Sequence, residues 1–345
     1  MSVATVRTMT LRVGILGAGQ AGERQAVGFH AASDTTVVAV ADLAQTRAAA
    51  LAQRCHATAY ADWREMVETE DLDIIAVCLP HNLHVEPAVM AAARGIHVMM
   101  EKPIAATLED ARRIVDVCRR AEVKLTVSFV HRFREEIRLL YDWLRDGDLG
   151  RPMLARETMN GQRGAHLPGW VERQEVAGGG VLMYSAIHGI DRLRWLLGSE
   201  VTQVTARTLT FEEQAEVEHG AAALLTFENG VAAALTTSAP AYPAKPTLWE
   251  TEIFGTAGMA RARTRYWAEM NGHAGQFHHD TQWCAEQLGE HYNFARQAEA
   301  FVRAVRDDEP LPVTAEDGLV AQEIVRAIYA SAATGMPVTL KEEDG

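Results

Sequence analysis

Lys102, Tyr184, His188 and Asp191 are the residues of this chain whose types and spacing suit the movement of a proton. Lys102 closes a run that reads as a buried strand, Gly95 to Met99, and Pro103 follows it at once. Proline cannot donate to a ladder and restricts the residue before it, so the lysine leaves the sheet at a defined angle. At the carboxyl end of a strand in an open α/β sheet, such a side chain faces the ligand crevice. Tyr184, His188 and Asp191 stand four and three residues apart on a predicted helix that follows Gly178-Gly179-Gly180 and runs to Leu197. They share one face near its start, and the glycines let the preceding loop approach something closely. Histidine titrates near neutral pH, so the set suits removal of a hydroxyl proton. The plainer alternatives are a solvated charge pair at Glu101-Lys102 and a half-buried helix face with a satisfied histidine.

The elements that must position these groups begin at Leu11. Leu11 to Leu16 is an apolar run, Gly17-Ala18-Gly19-Gln20-Ala21-Gly22 follows it, and Glu23 to Ala32 is compatible with a helix. This is the strand, glycine turn and helix order of a dinucleotide fingerprint. Gly17 would permit the tight turn, Gly19 the close approach of pyrophosphate, and Gly22 the packing of helix on strand. A second strand, Thr36 to Ala41, ends in Asp42, whose carboxylate can bond the adenosine ribose and repel a 2′-phosphate. NAD is therefore expected over NADP, with Arg47 the one neighbour able to soften the preference.

Strands over 57–60, 73–79, 96–100 and 124–130 then alternate with helices over 62–68, 85–94 and 108–121, the first of these capped by Asp62. That rhythm predicts a doubly wound parallel sheet from Leu11 to Val130. Pro80-His81-Asn82-Leu83-His84 breaks the fourth strand after Leu79, on the ligand side; for Asn82 and His84, cofactor contact and plain turn formation or helix capping are equal readings.

After an amphipathic helix over 132–145 and a turn at Gly147 to Pro152, β-type runs dominate. Ala221–Phe227 and Val231–Thr237 flank an Asn229-Gly230 turn, and Leu248–Phe254 and Met259–Thr264 flank Gly255–Gly258. The expected second domain, 131–345, is α+β with a large open, mostly antiparallel sheet. One face packs on helices or another subunit, so a homodimer or homotetramer through that sheet is expected, and the carboxyl-terminal segment can pack back on the first domain. The first ten residues read as a tail. Ala268 to His291, with four histidines, reads as a polar loop or lid; His278 and His279 are adjacent and no ligand spacing recurs, so no metal is assigned.

The 345 residues exceed what one core usually supports, and 48% hydrophobic with 23% charged is an ordinary globular composition. A net charge of -13 argues against nucleic acid and anionic membrane as partners. Cys55, Cys78, Cys118 and Cys284 lack paired spacing and read as core residues in a reducing compartment. With no signal-like run and no span-length apolar stretch, the cytoplasm is the expected location.

Taken together, Gly17 to Gly22, Pro80 to His84, Glu101-Lys102-Pro103, Gly178 to Asp191 and the close from Leu311 to Val338 resemble the Gfo/Idh/MocA oxidoreductases, in order and spacing, over nearly the whole chain after Thr10. The resemblance implies a Rossmann domain followed by an open-sheet domain, with chemistry between them. It implies that Ala18, Gln20, Ala21, Leu79, Pro80, Glu101 and Lys102 join the cofactor site, and that Lys102 also hydrogen-bonds the substrate hydroxyl while His188 relays its proton. It further implies substrate contact by Asp191, and weaker contacts by Asn160 and by Trp170 as a stacking surface. Many members carry aspartate where this chain has Tyr184, and glycine where it has Ala186. An unperturbed tyrosine pKa of about 10 makes Tyr184 no substitute for a carboxylate. The expectation is an NAD-dependent dehydrogenase acting on a secondary hydroxyl of a sugar, glycoside or cyclic polyol. The alternatives are a hidden-redox sugar-modifying enzyme with tightly held NAD, and a non-catalytic sugar or nucleotide sensor.

Overall fold

The computed structural model describes residues 10–163, 167–240, 247–264, 267–271 and 291–340. Leu11–Leu16 (β1), Thr35–Ala41 (β2), Thr58–Tyr60 (β3), Ile74–Val77 (β4), His97–Met100 (β5) and Leu125–Val127 (β6) form a six-stranded sheet in the order β3-β2-β1-β4-β5-β6. Every pairing is parallel. Helices Gln20–Ala31 (α1), Gln45–Cys55 (α2), Trp63–Thr69 (α3), Val85–Ala93 (α4) and Leu108–Arg120 (α5) complete the crossovers. Asp62 caps α3 by accepting the Arg64 N–H, as the sequence implies. The order reverses between β1 and β4, which opens the ligand crevice there.

Val13, Ile15, Ile74, Ala76 and Met99 pack with Phe29 of α1 on one face of this sheet. Helix Tyr292–Asp307 (α9) joins the same core through Ala298, Phe301 and Val302. The close approach of α1 and α9 explains Gly28, where a Cβ would lie 2.8 Å from the Phe294 carbonyl oxygen. On the opposite face, Ile75, Val77, Val98 and Met100 belong to a core that continues without a break into the second domain.

That domain is an eight-stranded sheet, in the order β13-β12-β11-β7-β10-β9-β8-β14. Its strands are Pro152–Asn160 (β7), Val201–Leu209 (β8), Gly220–Phe227 (β9), Ala232–Ser238 (β10), Leu248–Gly255 (β11), Met259–Arg263 (β12), Trp267–Asn271 (β13) and Val338–Thr339 (β14). Only β7 and β10 pair in parallel; the remaining pairs are antiparallel. Helices Glu135–Asp146 (α6), Gln174–Ala177 (α7), Ile187–Leu197 (α8) and Ala315–Thr334 (α10) complete the described helices. Ile187, Ile190 and Leu193 of α8, with Ile324 and Ile328 of α10, share a core with Leu225, Leu235 and Ile253 from the sheet. Among the described residues no helix covers the other face. Across it the register aligns Thr205, Leu224, Ala234, Arg156, Glu252, Arg261 and Glu269, and Leu224 is 49% exposed.

Three sequence expectations need correction. The strand expected over 124–130 stops at Val127, and Val130–Phe133 is a 3-10 turn, so α6 starts at Glu135 instead of Arg132. Arg132 is held in that turn by Asp191 and Asp317, which prevents it from opening the helix. Ala268–Asn271, expected in a polar loop, lies in β13 because it pairs with β12; the rest of that stretch up to Glu290, with its candidate lid, falls outside the described residues. The helix expected to run unbroken to Leu197 begins with a π turn, Leu182–Ala186. Among the described residues no helix is long and apolar enough to cross a membrane.

Candidate active site between the two domains

The glycine turn divides its work as the fingerprint requires. Gly17 has φ of +94°, and a Cβ there would lie 2.4 Å from the Cys78 carbonyl oxygen. A Cβ on Gly22 would lie 1.8 Å from the Gly17 carbonyl oxygen, so no side chain fits where α1 crosses β1. Gly19 has nothing within 4 Å, which leaves open space beside it at the amino end of α1. These residues fit a dinucleotide: a closed turn, a close helix crossing, and an open backbone position facing a helix amino terminus, where Ala18, Gln20 and Ala21 also lie. Asp42 is tied to the same turn. Its carboxylate accepts from Ala18 N–H at 2.9 Å and Ala44 N–H at 2.8 Å, and pairs with Arg47 at 2.8 Å. Burial works to raise this carboxyl, but Arg47 and the two N–H groups outweigh it and hold it below the ordinary range.

Lys102 lies just beyond β5, whose exit is anchored by Glu101 N–H donating to Val77 O at 3.0 Å. Its Nζ donates to the Tyr184 carbonyl at 2.6 Å and sits 4.6 Å from the centre of the Tyr184 ring. The lysine comes from the first domain and the tyrosine from the π turn of the second, so the contact closes the crevice between them. In that turn Ile187 N–H reaches back to Leu182 O, one residue further than in an α-helix. Burial lowers the Lys102 ammonium pKa, opposed by Glu101 and reinforced by Arg24. Burial likewise pushes the Tyr184 hydroxyl up, against a pull from Arg24.

His188 is 8% exposed at the start of α8, with Phe129 edge-on at 5.8 Å and His131 stacked at 4.2 Å. The glycines before this helix fit against the chain itself. A Cβ on Gly178 would lie 2.0 Å from Ala106 O, on Gly179 2.0 Å from the Tyr329 hydroxyl, and on Gly180 1.8 Å from Glu218 O. Glu218 then accepts Gly180 N–H and Leu182 N–H, each at 2.8 Å, and caps the turn that carries Tyr184. Burial pushes the Glu218 carboxyl up, against those two hydrogen bonds.

Other sequence-selected residues are distributed more widely. Leu79 and Pro80 are half-buried at the end of β4, and Asn82 is exposed in a 3-10 turn over His81–Leu83. Trp170 meets His81 edge-on at 4.7 Å, which places the indole across the crevice from the first domain's Pro80 turn. Asn160 ends β7, where its Oδ1 accepts from Ser238 Oγ at 3.1 Å. Glu101 accepts from Gln25 Nε2 at 2.9 Å, and the same amide reaches Ser128 Oγ at 2.7 Å.

Two assignments do not survive the geometry. His84 is fully buried, with ring nitrogens 2.8 Å from Ile104 O and 2.9 Å from Leu79 O, so it staples the two strand exits together and cannot reach a cofactor. Asp191 is likewise fully buried, and Arg132 Nε lies 3.1 and 3.0 Å from its two oxygens. Its carboxylate is committed to an internal ion pair with Arg132, which Asp317 shares. Gln25, Ser128, His131, Arg192 and Glu218 escaped the sequence reading. Arg192 alone left a trace, as one of three charges within the otherwise apolar run from Ile187 to Leu197. Among the described residues no group of three or more His, Cys, Asp or Glu could hold a metal ion.

A parallel sheet with a dinucleotide turn, joined to an open-sheet domain whose π turn sets Tyr184 against Lys102 one helical turn before His188, defines a nicotinamide-dependent oxidoreductase. The chain belongs to the Gfo/Idh/MocA family: residues 11–129 match the oxidoreductase family, NAD-binding Rossmann fold, and residues 137–261 match the GFO/IDH/MocA C-terminal domain. The D-glucoside 3-dehydrogenase of Escherichia coli is 29% identical over 96% of this chain and 97% of its own length. The rhizopine catabolism protein MocA of Rhizobium meliloti is 30% identical over 92% of this chain and 93% of its own. A levoglucosan dehydrogenase solved with NADH and L-sorbose shares the fold, with a TM-score of 0.89 at 23% identity over 97% of this chain and all of its own. The protein is therefore an oxidoreductase of a family of sugar and polyol dehydrogenases, with NAD as its cofactor.

Proposed function

We propose that the protein oxidises a secondary hydroxyl of a sugar, glycoside or cyclic polyol. The supporting observation is the 2.6 Å contact between Lys102 Nζ and the Tyr184 carbonyl, which fixes a donor at the crevice one helical turn from His188. When bound, NAD supplies the hydride acceptor. Gly17 to Gly22 and Asp42 hold the adenosine and pyrophosphate portions, and the charge of Asp42 selects against a 2′-phosphate. Lys102 orients the reacting hydroxyl and steadies its oxygen as the proton departs. His188 receives that proton and passes it to solvent. Tyr184 walls the site with its ring and adds a hydroxyl contact. Asn160 and Trp170 line the sugar's outer side, with the indole as its stacking surface. A second copy of the chain covers the open sheet face around Leu224 and Ala234 in a homo-oligomer.

The test is NADH formation with NAD across inositols, hexoses, sugar acids and glucosides. On the substrate so identified, Lys102→Ala is expected to lose roughly 10²- to 10⁴-fold in kcat. Wild-type turnover in that variant would remove lysine from the mechanism. No turnover on any substrate, with NAD released only on denaturation, would favour transient oxidation by a tightly held cofactor.

A further inference from the structure

His188 has a second imidazole against its face. His131, in the Val130–Phe133 turn, stacks on it with centroids 4.2 Å apart and planes 13° apart. His131 is itself buried, with the Trp249 ring behind it at 5.4 Å. Its chemistry is decided by Arg192, one turn along α8 from His188, whose Nη1 lies 2.9 Å from His131 Nδ1. A guanidinium has donors and no acceptor, so His131 Nδ1 must accept and the ring's proton must sit on Nε2. A second proton would set N–H against N–H beside a permanent positive charge.

Arg192 cannot turn away to relieve that conflict. It is fully buried; Nη1 also donates to Thr264 Oγ1 at 2.8 Å, and Nη2 lies 3.0 Å from Met159 Sδ and pairs with Glu157. Glu157 is fixed in turn by Thr251 Oγ1 at 2.7 Å. Among the described residues, the charged groups around His131 are Arg192 from α8 and, behind it, Glu157 from β7, on which Glu250 of β11 also acts. Trp249 brings no charge from β11. Arg132, next in the chain, pairs with Asp191 and Asp317. Arg134 pairs with Glu136, and Arg296 of α9 pairs with Glu135 of α6.

We propose that His131 is a positioning residue for proton transfer at His188, held by Arg192 as the neutral Nε2–H tautomer so that the stacked ring carries no charge when His188 becomes an imidazolium. The proposal rests on the proton-accepting role of His188 given above. The π face of a neutral ring attracts a cation, whereas two imidazolium rings at this separation repel. The arrangement therefore lets His188 gain a proton inside a buried stack.

The test uses the full chain with 15N-labelled histidine and two-bond proton–nitrogen correlation spectra, the His131 signals being assigned by their loss in His131→Phe. The expected result is a bare Nδ1 and a protonated Nε2, unchanged from about pH 5.5 to about pH 8.5. An Nδ1–H tautomer, or titration of His131 in that window, overturns the proposal. Arg192→Gln, if it folds, should let His131 titrate; a ring still neutral throughout would remove Arg192 as the cause. In kinetics, His131→Phe replaces one neutral ring with another, so the acid limb of kcat/KM should stay within about 0.5 pH unit of wild type. Disappearance of that limb would make His131 the titrating group and refute the assignment. The spectra do not depend on turnover, so the two readings fail separately: an intact tautomer with no oxidation of any hydroxyl would remove the catalytic meaning of the stack but leave its chemistry.

Discussion

Replacing Asp42 with asparagine should convert a strong preference for NAD into a weak one. The carboxylate is fixed by two backbone N–H groups, at 2.9 and 2.8 Å, so it cannot retreat from a ligand on the glycine turn. A 2′-phosphate carries roughly -1.5 to -2 charges. Opposed to a carboxylate at about 4 Å near a protein surface, each unit charge costs about 4 kcal/mol. Arg47 offsets part of this, but its side chain is 60% exposed and such pairs contribute only about 0–1 kcal/mol. The lost hydrogen bond from the ribose hydroxyl to a charged acceptor adds about 1.5–3 kcal/mol. Even with half of the repulsion screened, roughly 3 kcal/mol remains, a discrimination of more than about 100-fold. Because Arg47 and the N–H groups hold this carboxyl below its ordinary pKa, it stays ionised through any assay near neutrality. Asparagine keeps an acceptor for one N–H and removes the charge, which also frees Arg47 for a phosphate. The assay is the ratio of kcat/KM for NAD and NADP. That ratio should fall by about two orders of magnitude in Asp42→Asn, with at most about 1 kcal/mol lost in unfolding free energy. A ratio within about threefold of wild type would mean that Asp42 does not face the adenosine ribose.

Three further outcomes follow from the same geometry. Lys102 has a lowered pKa, so the folded state releases its proton before the unfolded state does; the cost of the charge is present below the folded pKa and relieved as pH rises towards about 10.4. Lys102→Met should therefore raise Tm at pH 7 by something on the order of 2 °C, a gain that shrinks in alkaline buffer; a lower Tm would show that the Tyr184 contact outweighs the burial. Asp191→Asn breaks a buried pair with Arg132 and should lose on the order of 3 kcal/mol in urea unfolding with KM unchanged, whereas a tenfold rise in KM at full stability would restore Asp191 to the substrate site. Leu224→Glu places a charge in the middle of the open sheet face and should yield a lighter species by light scattering; an unchanged mass would place the subunit contact elsewhere.

What the sequence determined on its own was the local chemistry of backbone and strand exits. Gly17 and Gly22 take the turn and the close crossing that their spacing implies, and Gly19 leaves open space beside it, because the spacing itself places turn and crossing between β1 and α1. The parallel sheet was legible for the same reason: strands buried on both faces are apolar throughout, and their spacing leaves room for one helix between each pair. The central strand β7 escaped notice because Arg156, exposed on the open face, and Glu157, buried beneath, interrupt its apolar pattern with charge. Tertiary structure alone decided which polar residues face the crevice. Asp191 and His188 are separated by three positions on one helix, yet one is sealed against Arg132 and the other stacks on His131. No helical periodicity distinguishes them, since both lie in α8 beyond the π turn and the difference depends on partners about 60 residues away in the chain. Likewise, the triple glycine signals a close approach from sequence, but only the fold reveals that what approaches is Ala106, Tyr329 and Glu218 from three other segments.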